Sequence, residues 1–361
     1  MSDSSPLLEL YVASKEAFNG QHWRSNDPAS VEVSPTTITH CNEVLQRQLL
    51  HLRKVLEVAG LAQSTKEEDT TTPTITYLLD IEGTTTPLPF VTKVLFPFAE
   101  AQLESWVCAT LSSSSSTSGN GSEGEEVVLL KQCISEAQQD PQNKELFEGG
   151  SVGTAFVAAC KARMVENSKV GYLKKVQGYL WRSAYETRKI KGHVLPDAVD
   201  AIRTWSSSSS SVQIYSSGSI PAQKLLFGFS SAGDLTPHLT GYYDPSTVGG
   251  KAEASSYTNI RKAIPTSSKI IFITDSLLEV EAAVTSKDID LIIFSLRPMN
   301  APDLNVQRLV ELGIPVVSSF SIITAAMNGE GGTTHDGVVE TLWREVQQYR
   351  DVGNTQLKIF S

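Results

Sequence analysis

The sequence is poor in the residues that staple small secreted folds together. Its 361 residues include four cysteines, Cys41, Cys108, Cys133 and Cys160, with no C-x-x-C pair and no dense spacing. That pattern excludes a disulfide framework, argues against a zinc site and fits a reducing compartment. Long apolar runs are also missing, since none approaches the roughly 20 residues needed to span a bilayer. The opening MSDSSPLLELYVASKE has no basic stretch leading into an apolar one, so no secretory signal is read there. Positive charge is the third shortage. Thirty Lys and Arg face 40 Asp and Glu, a formal net charge of −10. A chain this acidic lacks the electrostatic footprint for nucleic acid or an anionic membrane. An anionic small substrate then needs its charge met locally, by a lysine, helix N-termini or a metal.

What is present is enough for a sizeable core: 40% of the residues are hydrophobic, and the length suits about two folding units. Residues 1–73 are polar and punctuated by Ser, Thr and Pro, and read as an N-terminal extension. Within it, Leu45, Leu49, Leu52 and Leu56 recur at helical spacing between Cys41 and Leu61. This stripe predicts a helix packed on the main domain; a partner-binding or self-associating helix is the alternative. From residue 76 the texture is α/β. Apolar runs at Thr76–Asp80, Val212–Ser216, Lys269–Asp275, Asp290–Leu296 and Ile314–Phe320 suit buried strands of a parallel sheet, separated in several places by helical stretches. Roughly 130 residues lie between the first two strands, far more than one crossover needs, which predicts an inserted helical subdomain. The serine tracts Ser112–Ser116, with its continuation to Glu126, and Ser206–Ser211 are expected to be flexible surface loops. Beyond Ile323 the chain turns Gly/Thr-rich, with one amphipathic segment at Val338–Tyr349.

Four short segments carry chemistry. Asp80-Ile81-Glu82-Gly83-Thr84-Thr85 puts two carboxylates at the carboxyl end of an apolar strand, where open α/β sheets bind ligands; a helix cap would need only one of them. Ser216-Ser217-Gly218-Ser219 follows the second strand and can cradle a phosphate, though strand–turn–helix junctions use the same residues as caps. Lys251 follows Gly249 and Gly250 at a helix start, where a cation opposes the dipole unless an anion faces it. An exposed lysine is the bland alternative. Asp275 ends the strand KIIFIT, with Glu279 one helical turn later. Oxygen ligands at neighbouring strand ends suit Mg2+.

The order of these segments resembles the four-motif layout of the haloacid dehalogenase superfamily. The strings DIEGTTTP, VLFPFAE, GYLW, KGHV, YSSGS, AQKLLFG, AGDLTP, TVGGK and RPMNAP resemble the acireductone synthase family, the bifunctional enolase-phosphatases of methionine salvage. The likeness covers about 75–320. Met299 stands where that family usually has Gly, and Gly250 where it often has Pro.

The resemblance implies a Rossmann-like parallel-sheet core, 74–92 with 193–323, carrying a helical cap at 93–192, and leaves 324–361 as a C-terminal extension. It implies conversion of 2,3-diketo-5-methylthiopentyl-1-phosphate to acireductone and phosphate. Asp80 would be the nucleophile and Glu82 the second catalytic group. Ser216, Ser217 and Lys251 would hold the phosphoryl oxygens. One Mg2+ would sit on Asp80, Asp275 and the backbone carbonyl of Glu82. The expected partner is a small phosphorylated substrate, met by a monomer in the cytoplasm and also the nucleus. A phosphatase of the same superfamily acting on another small metabolite is the nearest alternative, and a scaffold on a degenerate phosphatase fold is a third. Leu180, Trp181, Arg182, Tyr185 and Lys191 fall on or near a cap helix and are expected to serve packing. His193 is read as a structural histidine at the return from cap to core.

Overall fold

Two helices come first among the described residues. The computed structural model describes residues 6–17, 35–61, 74–116, 124–166, 168–207, 210–297 and 305–329. Helix α1 spans Pro6–Ala17 and α2 spans Pro35–Val58. The α2 stripe Leu45, Leu49, Leu52 and Leu56 is fully buried, and α2 packs on the last strand and last helix of the parallel-sheet unit. The packed-helix expectation therefore describes it. Gln48 adds a polar tie: its side chain accepts from the Ser318 amide at 2.9 Å and donates to the Ser318 and Ser14 hydroxyls at 3.0 Å. The Tyr11 hydroxyl donates to the Ile314 carbonyl.

The described residues divide into two compact units. One is formed by the chain up to Leu88 and from Gly192 on; the other runs from Pro89 to Lys191. In the first unit, β1 (Ile75–Leu79) is buried on every residue, as a central parallel strand must be. The helical unit contributes α3 (Phe96–Ser116), α4 (Glu125–Gln139), α5 (Val152–Val165) and α6 (Gly171–Glu186). The chain then returns to the first unit with α7 (Pro196–Ser207), β2 (Ser211–Tyr215), α8 (Ile220–Gly228), β3 (Gly241–Tyr243), α9 (Ala254–Ala263), β4 (Lys269–Thr274), α10 (Leu277–Ser286), β5 (Leu291–Ser295), α11 (Val306–Glu311), β6 (Val316–Val317) and α12 (Phe320–Met327).

Among the described residues the sheet has six strands in the order β3-β2-β1-β4-β5-β6, every pair parallel. The register sets Leu79 opposite Ile214 on one side and Ile273 on the other. The residues just past these positions, Asp80, Ser216 and Asp275, thus leave the sheet at one common edge. The turn after β1 is tight. Gly83 has φ +76, and the Ile81 carbonyl accepts from the Thr84, Thr85 and Thr86 amides at 3.2, 3.0 and 2.8 Å. A left-handed φ is what glycine permits cheaply.

The helical unit is held by Ala99, Leu103, Val107, Leu130, Cys133, Phe156, Cys160, Tyr172, Leu173, Val176 and Leu180. All four cysteines of the chain are free. No helix among the described residues is long and apolar enough to cross a membrane.

The serine-tract expectation needs correction. Ser112–Ser116 is the last part of α3, not a loop, and Ser206 and Ser207 close α7. The physical reason is back-bonding. Ser112 donates to the Cys108 carbonyl and Ser113 to the Thr110 carbonyl, both at 2.8 Å, while Ser206 and Ser207 donate to the Arg203 carbonyl. Ser211 already belongs to β2. Residues 117–123 of the first tract, Ser208 and Ser209 of the second, Met299 and the segment 338–349 lie outside the described residues. The chain beyond Ile323 begins by continuing α12 to Met327.

Candidate active site

The buried central strand β1 delivers Asp80 to the sheet edge. Its amide still donates to the Ile273 carbonyl at 3.0 Å, extending the β1–β4 ladder by one step, so its backbone is as fixed as the strand. Its carboxylate is buried. Oδ1 receives the Lys251 ammonium, and Oδ2 receives the Thr84 hydroxyl at 3.2 Å. Two charged or polar donors on one carboxylate orient it before any substrate arrives.

Lys251 is only 7% exposed, so the exposed-lysine alternative is wrong. It is also not the first residue of a helix. It sits in the turn before α9, where its carbonyl accepts the Tyr257 hydroxyl at 2.8 Å. Gly249, at φ +107, bends the chain there, and its carbonyl accepts the Tyr215 hydroxyl at 2.8 Å. The ammonium lies 5.6 Å from the centre of the Tyr215 ring. These two tyrosines shape the lysine's pocket and were not singled out from sequence, since a Tyr at a strand end or within a helix carries no chemical signature.

Glu279 joins the same ammonium at 2.8 Å through Oε1 and takes the Thr274 hydroxyl at 2.6 Å through Oε2. Burial and the nearby Asp80 charge push its carboxyl up to about 7 despite the lysine. Asp275 is pushed well above the usual carboxylate range by burial, then by Asp80 and Glu279. For Lys251, burial disfavours the ammonium, but Asp80 and Glu279 outweigh it and raise its pKa. Three carboxylates thus share one cation.

That excess of negative charge is chemistry that suits a divalent cation with oxygen ligands. Among the described residues no group of three or more His, Cys, Asp or Glu side chains is arranged to hold a metal. Asp80 and Asp275, at neighbouring strand ends, are a donor pair of the kind a hard divalent cation takes when water completes its shell.

Four of the sequence-predicted residues therefore meet: Asp80, Lys251, Asp275 and Glu279. Glu82 is exposed on the turn beyond Asp80. Ser216 is buried at the end of β2, where its hydroxyl accepts from the Gly218 amide at 3.2 Å, closing its own turn. Ser217 is exposed beside it. The α8 N-terminus next to them is already engaged, the Ile220 amide donating to Asp244 Oδ2 at 3.0 Å.

In the helical unit, Leu180 and Tyr185 are buried, Trp181 donates to the Leu95 carbonyl at 2.8 Å and Arg182 pairs with Glu125. These contacts are the packing expected of them. A pocket of about 200 Å3 in that unit is lined by Phe96, Pro97, Arg163, Met164 and Leu173, none of them a predicted site residue. His193 has its imidazole pushed down to about 4 by burial, as a neutral structural histidine would.

No family model matches the chain. Curated relatives do. The chain is 38% identical over 207 residues to enolase-phosphatase E1 of Pseudomonas fluorescens, an alignment covering 57% of this chain and 82% of that one. It is 36% identical over 258 residues to a probable bifunctional methylthioribulose-1-phosphate dehydratase/enolase-phosphatase of Vitis vinifera, covering 68% of this chain but 46% of the relative. The chain therefore spans about half the length of such bifunctional relatives. Among solved structures, the UTR4 protein of Saccharomyces cerevisiae is 30% identical with a TM-score of 0.51, covering 68% of this chain and 97% of that one. With the α/β sheet, the strand-end carboxylates and a near full-length match to the bacterial protein in agreement, the chain belongs to the enolase-phosphatase E1 family.

Proposed function

We propose that the chain is an Mg2+-dependent enolase-phosphatase that converts 2,3-diketo-5-methylthiopentyl-1-phosphate to acireductone and inorganic phosphate, a step of methionine salvage. The observation that supports this most is the Asp80 carboxylate, buried at a strand end and oriented by Lys251 on one oxygen and Thr84 on the other. A rigid carboxylate of this kind is suited to nucleophilic attack on phosphorus.

The substrate phosphate would lie against Lys251, beside the attacking Asp80, with Ser216 and Ser217 holding its other oxygens. A proton first moves from the carbon bearing the phosphate ester to the neighbouring carbonyl oxygen, giving the enol phosphate. Asp80 then attacks phosphorus, the ester P–O bond breaks, and the leaving oxygen takes a proton from the Glu82 carboxylic acid. Water attacks the resulting aspartyl-phosphate, giving its proton to Glu82 and releasing phosphate with Asp80 restored. Glu82 suits this exchange because it faces solvent at the site's edge. The transition state spreads charge over the phosphoryl oxygens, so fixed positive groups do most of the work. Asp80, Asp275 and the Glu82 carbonyl would hold Mg2+, which when bound supplies Lewis-acid polarisation of the phosphate and of a neighbouring carbonyl. We place the activity in the cytoplasm and nucleus, in a monomer.

The test is to follow the diketo phosphate by proton and phosphorus NMR with the purified full chain. Enolisation and phosphate loss are then seen separately. Both should occur with Mg2+ and cease in excess chelator. Phosphate release without exchange of the carbon-bound proton would instead mark a simple phosphatase, and full turnover in chelator would remove the metal from the reading.

A further inference from the structure

The turn carrying Asp80 is anchored from behind by an ion pair that has no place in the chemistry above. Arg297, two residues past β5, is buried. Its Nε donates to the Thr84 carbonyl at 3.0 Å, and one terminal nitrogen donates to Asp197 Oδ2 at 2.6 Å and to the Ser318 carbonyl at 3.5 Å. The guanidinium lies 4.8 Å from the centre of the Phe320 ring. Asp197, in the first turn of α7, also takes the Ser319 hydroxyl at 2.9 Å and the Phe320 amide at 2.8 Å on that same oxygen. Thr84, the residue whose carbonyl Arg297 holds, donates its own hydroxyl to Asp80 Oδ2.

This pair is poorly explained as a source of stability. Desolvating two charges is costly, and well-packed apolar residues often serve as well or better. Here Arg297 Nη2 and Asp197 Oδ1 are also buried without a hydrogen-bond partner, and each such group adds a desolvation cost. What the pair does provide is geometry. A planar guanidinium can reach a carboxylate and a carbonyl at once in a fixed fork, which a lysine cannot do.

We propose that Arg297, seated on Asp197, is a positioning residue for Asp80. It fixes the Thr84 carbonyl, so that the Thr84 hydroxyl holds the attacking carboxylate in register with Lys251. The inference rests on the reading of Asp80 as nucleophile.

The experiment is single-turnover phosphate release from the diketo phosphate, with full-length enzyme in saturating excess, for wild type, Arg297→Lys and Asp197→Asn. A misplaced nucleophile lowers the rate constant by about 10- to 100-fold, and wild-type KM should be kept within about threefold. A merely structural role lowers the folded fraction and leaves the saturating rate constant where it was. Rate constants within twofold of wild type in either folded variant would overturn the proposal. So would loss of cooperative melting in both variants, since the pair would then be structural. A wild-type chain releasing no phosphate from this substrate or from p-nitrophenyl phosphate would instead overturn the phosphatase reading beneath it.

Discussion

Glu279 Oε1 lies 2.8 Å from the ammonium of Lys251, inside a pocket where Asp80 claims the same ammonium. The lysine is therefore the charge that lets three buried acids coexist. Removing it in Lys251→Met should lower kcat/KM by about 10²–10³, the usual cost of losing one donor to a developing charge. Leaving buried carboxylates unpaired should also destabilise the fold by about 3–5 kcal/mol. Steady-state kinetics and denaturant melts read the two effects separately.

Asp80→Asn is expected to behave differently on stability. The single amide oxygen can accept from Thr84 or from Lys251 but not both, while one negative charge leaves the cluster, so the melting temperature should change little. Phosphate release should fall to background, because an amide is not a nucleophile toward phosphorus. A colorimetric phosphate assay beside a thermal melt decides it.

The site also predicts a pH dependence of stability. The Glu279 carboxyl is raised in the folded chain to about 7 from an ordinary value near 4.5. Between these values the folded state binds the proton more tightly than the unfolded state, so stability falls as pH rises through that window. His193 acts in the other direction, because its pKa is depressed to about 4 and the unfolded chain protonates first below about 6.5. His51, also lowered by burial, adds to the histidine effect. The clean observable is the difference between wild type and Glu279→Gln in metal-free buffer. The variant should lack the Glu279 part of the decline, leaving the decline from Asp275, whose carboxyl is also raised, set against the histidine rise.

Gly192 is the residue at which the chain re-enters the sheet-containing unit. Its amide donates to the Phe229 carbonyl at 2.8 Å, and its carbonyl accepts from the Ser231 amide at 2.8 Å. A Cβ there would lie 1.9 Å from the Leu226 carbonyl oxygen, a backbone atom that cannot swing aside. Gly192→Ala should cost 3 kcal/mol or more, beyond the usual range of about 1–3 for overpacking. Little soluble protein is expected, and a denaturant midpoint close to wild type would show that the backbone gives way.

Deleting residues 1–61 should remove more than an appendage. Four buried α2 leucines at about 1.5–3 kcal/mol each amount to a large share of the roughly 5–15 kcal/mol that holds a domain folded. The shortened chain is expected to be insoluble or to lose its cooperative melt. A soluble, active truncation would show that the remaining unit closes over the gap.

The legible parts of the molecule were those where local pattern and tertiary fate coincide. Five strands are visible as apolar runs, because a parallel strand is buried on both faces. The strand β3 has only three residues, all half-buried, and leaves no such mark. Within the run Ile314–Phe320 only Val316 and Val317 are strand, since α12 takes over at Phe320. Asp80, Lys251 and Asp275 are readable because acids and a glycine-flanked lysine at strand ends and turns conflict with plain structural needs. Arg297 and Asp197 are not, for their pairing spans 100 positions and each residue alone reads as surface charge. Serine's weak helix propensity likewise hid the end of α3, where the hydroxyls turn back on the helix itself.

The contact between Gln48 and Ser318 joins residues 270 positions apart, and it covers the end of the sheet at β6. An edge strand offers unpaired backbone groups to any other strand that meets it. Here that edge is two residues long and roofed by α2, while Tyr11 occupies the Ile314 carbonyl beside it. The N-terminal helices thus act as a guard against strand addition. Their docking closes one of the longest loops in the chain, a slow kind of event in folding. Until those helices dock, the β6 edge is therefore open to pairing with another strand.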